Sequence, residues 1–246
     1  MKKKRIPFLV VGVLVVGLLA VYWLYMETDS LPQDEDLLSG INSTVQNVQA
    51  IEIQDFIKVD SRHGVAPFRS DSGGYGISYW KRNITGWKVK RIRTNGEPKV
   101  WMVDKDDPSS FRIVWNMAPG NHIQTLQFYF MRDRGFSISG GQQHYVPSIL
   151  MNSEVSMKGT SYGMMKLPKE WVYAMKLSNG SEGQADSFWD EFDLGMFSTF
   201  GWIPLAANGK EADLMEHMNS YGYTNGNFHE EHMQRLSKEQ LEQGIY

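Results

Sequence analysis

The stretch Tyr79–Trp101, YWKRNITGWKVKRIRTNGEPKVW, has the most unusual local composition in this sequence. It interleaves Lys81, Arg82, Lys88, Lys90, Arg91 and Arg93 with Trp80, Trp87 and Trp101. An indole stacks on the face of a sugar, while a guanidinium forks onto a phosphate or carboxylate. Cations among flat rings therefore suit an anionic envelope polymer, lipid headgroups or an acidic protein partner. The candidate ligand-binding set is Trp80, Lys81, Arg82, Lys88, Lys90, Arg91, Arg93 and Trp101. The plainer alternative is a solvated cationic strand whose tryptophans point into a core. Strand alternation sets Lys88 and Lys90 opposite Trp87 and Val89, which favours that alternative for Trp87.

Other chemistry-bearing residues give weaker patterns. His217, His229 and His232 lie near Glu216, Glu230 and Glu231. The run HEEH spaces its histidines three apart, whereas the zincin motif needs four, so no metal site is expected. Asp133 between Arg132 and Arg134 reads as an ion-paired turn. There is no Gly-x-Ser-x-Gly and no cysteine, so neither a serine elbow nor thiol chemistry is indicated. Gly73-Gly74-x-Gly76 runs into the strand-like ISYW, which is the wrong context for a phosphate loop. No cofactor is implied, and no catalytic residue is assigned. Paired acids in a cleft leave no spacing signature, so sequence alone does not exclude a hydrolase.

The elements that must position these residues begin with an apolar segment. Residues 6–26, IPFLVVGVLVVGLLAVYWLYM, carry no charge. As a helix they would extend about 31 Å, the thickness of a bilayer core. Lys2, Lys3, Lys4 and Arg5 precede the segment, and Glu27 and Asp29 follow it. That asymmetry predicts a single transmembrane signal-anchor, with residues 1–5 as a cytoplasmic tail and the remainder outside the cell membrane. Tyr22, Trp23 and Tyr25 suit the outer headgroup region. The exit AVYWLYM is too bulky for signal peptidase, so the segment is expected to stay uncleaved. The bilayer is then one partner. Five tail residues leave no internal signalling domain.

Four of the 25 basic residues lie in that tail, so the external part sets 21 basic residues against 28 acids, a net charge of −7. Such a domain is not a general nucleic-acid binder. A cysteine-free external domain leans towards a bacterial source.

Residues 27–40, ETDSLPQDEDLLSG, read as a juxtamembrane linker. Residues 41–180 read as a β-rich domain after a short opening helix. Phe111, Ile113 and Trp115 alternate, as do Leu126, Phe128 and Phe130, and turn signals recur between them. Asn95-Gly96 predicts a hairpin. In residues 181–246 the period changes: Phe188, Phe192, Met196 and Phe200 recur every fourth residue, and a helical portion packed on the sheet is expected. Capping-box patterns at Asn227/Glu230 and Ser237/Gln240 predict two more helix starts. The expected fold class is α+β: an N-terminal transmembrane helix, then an antiparallel sandwich- or barrel-like domain with a helical C-terminal portion.

The function these features suggest is a single-pass extracytoplasmic binding or accessory module of the cell envelope, without catalysis. The alternatives are a membrane-tethered hydrolase acting on an envelope polymer, or an accessory or sensor subunit of a membrane complex.

Overall fold

The computed structural model describes residues 11–20, 22, 31–45, 48–119, 122–157, 159–179, 198–214 and 221–244. Among the described residues the protein is β-rich, with 45% of them in strands, two main sheets and four helices. It divides into two compact units. Residues 11–20 and 22 are helical and exposed, and the rest of the apolar segment lies outside the described residues. Among the described residues, no helix is long and apolar enough to cross a membrane. The transmembrane part of the fold expectation is therefore not established by the structure, whereas the β-rich part is.

The first unit takes in residues up to Gly73, Ile77–Arg93 and Gly222–Gly226. Its helix α1 (Asp34–Thr44) carries Asp34, Glu35 and Asp36 in its first turn, where the helix dipole favours acids. Residues 34–40, expected as linker, thus form the opening turns of α1. Leu37 and Ile41 recur at i and i+4 and are fully buried, and that burial makes the segment a helix. The accompanying sheet contains β1 (Ala50–Ile53), β3 (His63–Ser70), β4 (Tyr75–Asn83), β5 (Gly86–Arg93) and β14 (Gly222–Thr224), in that order, with β2 (Ile57–Lys58) also paired to β3. Leu37 and Ile41 join Phe68, Trp80 and Ile92 in one core.

The second unit holds most of the remaining chain. Its strands are β6 (Lys99–Met102), β7 (Arg112–Asn116), β8 (Thr125–Arg132), β11 (Ile149–Ser156), β12 (Tyr162–Lys166), β13 (Ser198–Leu205) and β15 (His229–Arg235). They form one sheet in the order β11-β8-β13-β15-β6-β7-β12. Only the β13–β15 pairing is parallel among these described strands. A separate two-stranded ribbon is made by β9 (Gly135–Ser139) and β10 (Gln142–Val146). Both alternating trios, Phe111/Ile113/Trp115 and Leu126/Phe128/Phe130, lie in the main core. The other face of β8 and β13 buries Tyr129, Met131, Ile203 and Leu205 with Leu236.

Helix α2 (Lys169–Asn179) falls where strands were expected. Its Trp171 is 1% exposed and stacks on Phe130 with ring centroids 5.9 Å apart. The trace was in the sequence: Pro168, then Trp171 and Met175 at i and i+4. Asp107 accepts from Ser109 and pairs with Lys176 of α2, and these contacts lower its pKa to about 2.

The C-terminal expectation is corrected in two places. Phe200 lies on β13, opposite Phe130, not on a helix; Phe188, Phe192 and Met196 are outside the described residues. The Asn227/Glu230 box does not start a helix, because His229–Arg235 is a strand between β13 and β6. Ladder hydrogen bonds on both sides and burial of Met233 outweigh local propensity there. The second box is formed: the Ser237 hydroxyl accepts from Gln240 N at 3.1 Å, and Ser237 N donates to Gln240 Oε1 at 2.8 Å. It opens the short helix α3 (Lys238–Gln243), which ends on Gly244 at φ 64°.

The hairpin expected at Asn95-Gly96 does not form either, since β5 and β6 belong to different sheets. Gly96 serves close approach instead, as a Cβ there would lie 1.6 Å from the Asn116 carbonyl oxygen.

Gly40 in α1 answers to a similar constraint. A Cβ at position 40 would sit 2.6 Å from the Trp80 ring, which is itself buried. Alanine normally gains about 1 kcal/mol over glycine inside a helix, but overpacking costs about 1–3 kcal/mol. Gly40→Ala should therefore destabilise the protein by about 1 kcal/mol despite its better helix propensity. Urea unfolding measures this, and a stabilised variant would show that the α1–Trp80 contact is loose.

Candidate functional site

Seven of the eight candidate residues lie on β4 and β5, which the turn Asn83–Gly86 joins. In that turn Thr85 N and Oγ1 both donate to Asn83 Oδ1, at 2.9 and 2.8 Å, and Gly86 takes φ 98°. The register then sorts the side chains. Trp80 pairs with Val89 and Arg82 with Trp87, while Lys81 pairs with Lys88. Cross-strand partners share a face, so Trp80 and Arg82 lie on the α1 side and the two lysines on the other. A bulge between Tyr79 and Trp80 skips Lys90, since Tyr79 pairs with Arg91 and Trp80 with Val89.

The cations are not equivalent. Arg93 is 3% exposed and donates to the Tyr79 hydroxyl at 3.1 Å, with its guanidinium 5.9 Å from that ring. Arg82 is buried and donates to the Ser61 carbonyl. Arg91 donates to Thr224 Oγ1 at 2.7 Å across to β14. Lys81 and Lys88 are exposed, and Lys90 is half-buried. Trp101 belongs to the second unit, where it is buried and stacks on Phe228 at 5.8 Å. The sequence-level patch is thus not one surface. Arg82, Arg93 and Trp101 are used in packing, and the lysines remain at the solvent side.

What the first unit does present is a groove of about 820 Å³ between α1 and the β4–β5 hairpin. One wall is Gln33, Asp36, Ser39, Ser43 and Thr44, successive polar positions of α1 and its N-cap. The facing wall is Trp80, Thr85, Trp87 and Val89, and Lys88 borders it from the strand with its side chain on the opposite face. Leu31, Pro32 and Ile84 lie at one part of the lining. Trp87 is fixed by an edge-to-face contact with Phe56, centroids 5.0 Å apart. Trp80 donates its indole N–H to Ser78 Oγ at 2.8 Å. The groove therefore offers rigid aromatic surface, several hydroxyls and amides and one carboxylate, with the Lys81 and Lys88 ammonium groups on the hairpin's outer face. Groups of this kind suit a polyhydroxylated ligand, with the Trp87 ring as the stacking face and Asp36 as an acceptor for hydroxyls. Trp80 and Lys88 come from the sequence-level set. The α1 wall was missed because its acids and Pro32 looked like a linker, although Leu37 and Ile41 carry the helical spacing.

The histidines fall elsewhere. His229 and His232 lie three apart on β15, so they face opposite sides of a strand, and His217 is outside the described residues. Among the described residues there is no cluster of three potential metal ligands. His232 Nδ1 instead meets Lys99 Nζ. Partial burial first, and then the Lys99 charge, push the His232 pKa below 6.5.

No known protein family, curated protein or solved structure matches this chain.

Because folding lowers the His232 pKa, the unfolded chain takes up its proton first. The neutral histidine's contribution should be complete above pH 6.5 and be lost as the pH falls below it. Urea midpoints of the wild type and His232→Gln across pH 5–8 check this. The wild type should lose more stability than the variant on the acid side, and parallel curves would contradict the assignment.

Proposed function

We propose that this protein is a membrane-anchored, extracytoplasmic binding module of the cell envelope, without catalysis. Residues 6–26 hold it in the bilayer with the N-terminus inside. The length of that apolar run and its asymmetric charged flanks support this topology. Its ligand is an anionic glycan-type polymer of the envelope, taken up in the groove between α1 and the β4–β5 hairpin.

The observation that carries this reading is the pairing of Trp80 and Trp87 on one wall with Asp36, Ser39 and Ser43 on the other, with Lys81 and Lys88 exposed on the hairpin's outer face. The Trp87 indole, fixed by Phe56, provides contact area at low entropic cost, and the polar wall provides directional hydrogen bonds. The groove also adjoins the chain just beyond the apolar segment, through Leu31 and Pro32. A ligand held there lies close to the membrane surface.

The test uses the full chain in lipid nanodiscs, with polygalacturonate as an acidic glycan probe and dextran as its neutral counterpart. The wild type should bind the acidic polymer in preference to the neutral one. Trp87→Ala and Lys88→Ala should each weaken acidic-polymer binding by about tenfold, the cost of one stacked ring or one charge-assisted contact. Equal binding by the wild type and both variants, with folding unchanged by circular dichroism, would overturn the groove as the site.

A further inference from the structure

The β4–β5 turn carries an isoleucine where turns favour glycine, asparagine, aspartate or serine. Ile84 is 86% exposed, the most exposed of the large hydrophobic residues among those described. Nothing in the polymer-binding reading uses it. Leu31, 53% exposed, lines the same groove as Ile84, so the two lie within one neighbourhood. From Met26, the last residue of the apolar segment, Leu31 is five residues away. Five residues span at most about 18 Å even when fully extended. Wherever the apolar segment enters the bilayer, the hairpin tip cannot be far from the lipid surface.

We propose that the β4–β5 hairpin tip, Asn83–Gly86, is a second membrane contact, with Ile84 inserted at the boundary between headgroups and acyl chains and Lys81 and Lys88 at the level of the anionic phosphates. The proposal rests on the membrane-anchor reading for its starting geometry. The spacing fits interfacial insertion: Lys81 lies three residues from Ile84 and Lys88 four, and strands rise about 3.3 Å per residue. The two lysine backbones then stand about 10–13 Å from the tip, within reach for their long side chains to meet headgroups above an apolar group buried about 5–10 Å into the interface. Lys81 and Lys88 are direct cross-strand partners of like charge, an arrangement that isolated hairpins disfavour. An anionic surface relieves it. The turn's own polar groups are partly satisfied by the Asn83 carboxamide, which takes both Thr85 donors. Asp36 on the facing wall opposes the anionic preference, so charge should modulate the contact several-fold and the isoleucine should carry the insertion. The contact would set the groove's orientation relative to the bilayer, which a single helix and a short connection cannot do.

The absence of cysteine makes a direct test available. The full chain carrying Ile84→Cys is reconstituted in vesicles of phosphatidylcholine with 30 mol% phosphatidylglycerol, or of phosphatidylcholine alone. An environment-sensitive fluorophore on that thiol is read with shallow spin-labelled lipids as quencher. The control is Asp71→Cys, in the exposed turn at the opposite end of β4, about 30 Å away along the strand. Quenching at position 84 should exceed that at position 71 at least twofold. It should also be greater in anionic vesicles, and Lys81→Glu/Lys88→Glu should remove that anionic gain. Equal quenching at positions 84 and 71 overturns the proposal, and so does an anionic gain that survives the double substitution. Alkaline carbonate extraction of the same vesicles reads the anchor separately. A chain retained in the pellet with position 84 unquenched overturns the hairpin contact alone. A chain released with position 84 still quenched overturns the anchor alone, and one released and unquenched overturns both.

Discussion

The seat of Trp80 against Gly40 is the contact on which the candidate site depends. The indole is buried between helix and sheet, its N–H satisfied by Ser78. It reaches this position only because α1 has no side chain at residue 40. With the ring in place, Leu37 and Ile41 meet Phe68 and Ile92, and the helix is held over the sheet. The polar residues of α1 that do not enter this core, Asp36, Ser39 and Ser43, are left to form a wall. Burial of one large ring therefore sets both the stability of the first unit and the separation of the groove's two sides.

The same ring shows why composition overstated the basic-aromatic patch. A strand shows alternate residues to opposite faces, so a run rich in both tryptophan and cations must divide them. The bulge at Lys90 then shifts the register by one residue, setting Arg91 opposite Tyr79. Arg93 spends its guanidinium on Tyr79, and Arg82 reaches a backbone carbonyl. Buried arginines of this kind hold structure together and are not spare ligands. The exposed lysines are what remains of the patch, and they meet solvent.

Legibility in the sequence followed the physics of each element. The alternating trios of β7 and β8 were plain, since each strand turns one apolar face to the main core. The Ser237/Gln240 box was plain because capping is local chemistry. β15 was not: HEEHMQR has neither alternation nor β-propensity, and it is a strand because two neighbours supply its hydrogen bonds. Asn95-Gly96 misled for a comparable reason, as Gly96 answers to a backbone twenty residues away. Of the site, Trp80 and Lys88 were legible as residue types, whereas the α1 wall was hidden in a segment whose acids and proline look like a linker. Non-local pairing leaves no local signature, and the site is built from such pairing.

Hydrogen exchange read along the chain, with and without a bound acidic glycan, tests the central claim most directly. If the groove between α1 and the hairpin takes the ligand, amide exchange should slow in Ser39–Thr44 and Gly86–Val89 together, with the second unit unchanged. Unchanged exchange on both walls under saturating ligand, or protection confined to the second unit, would contradict it.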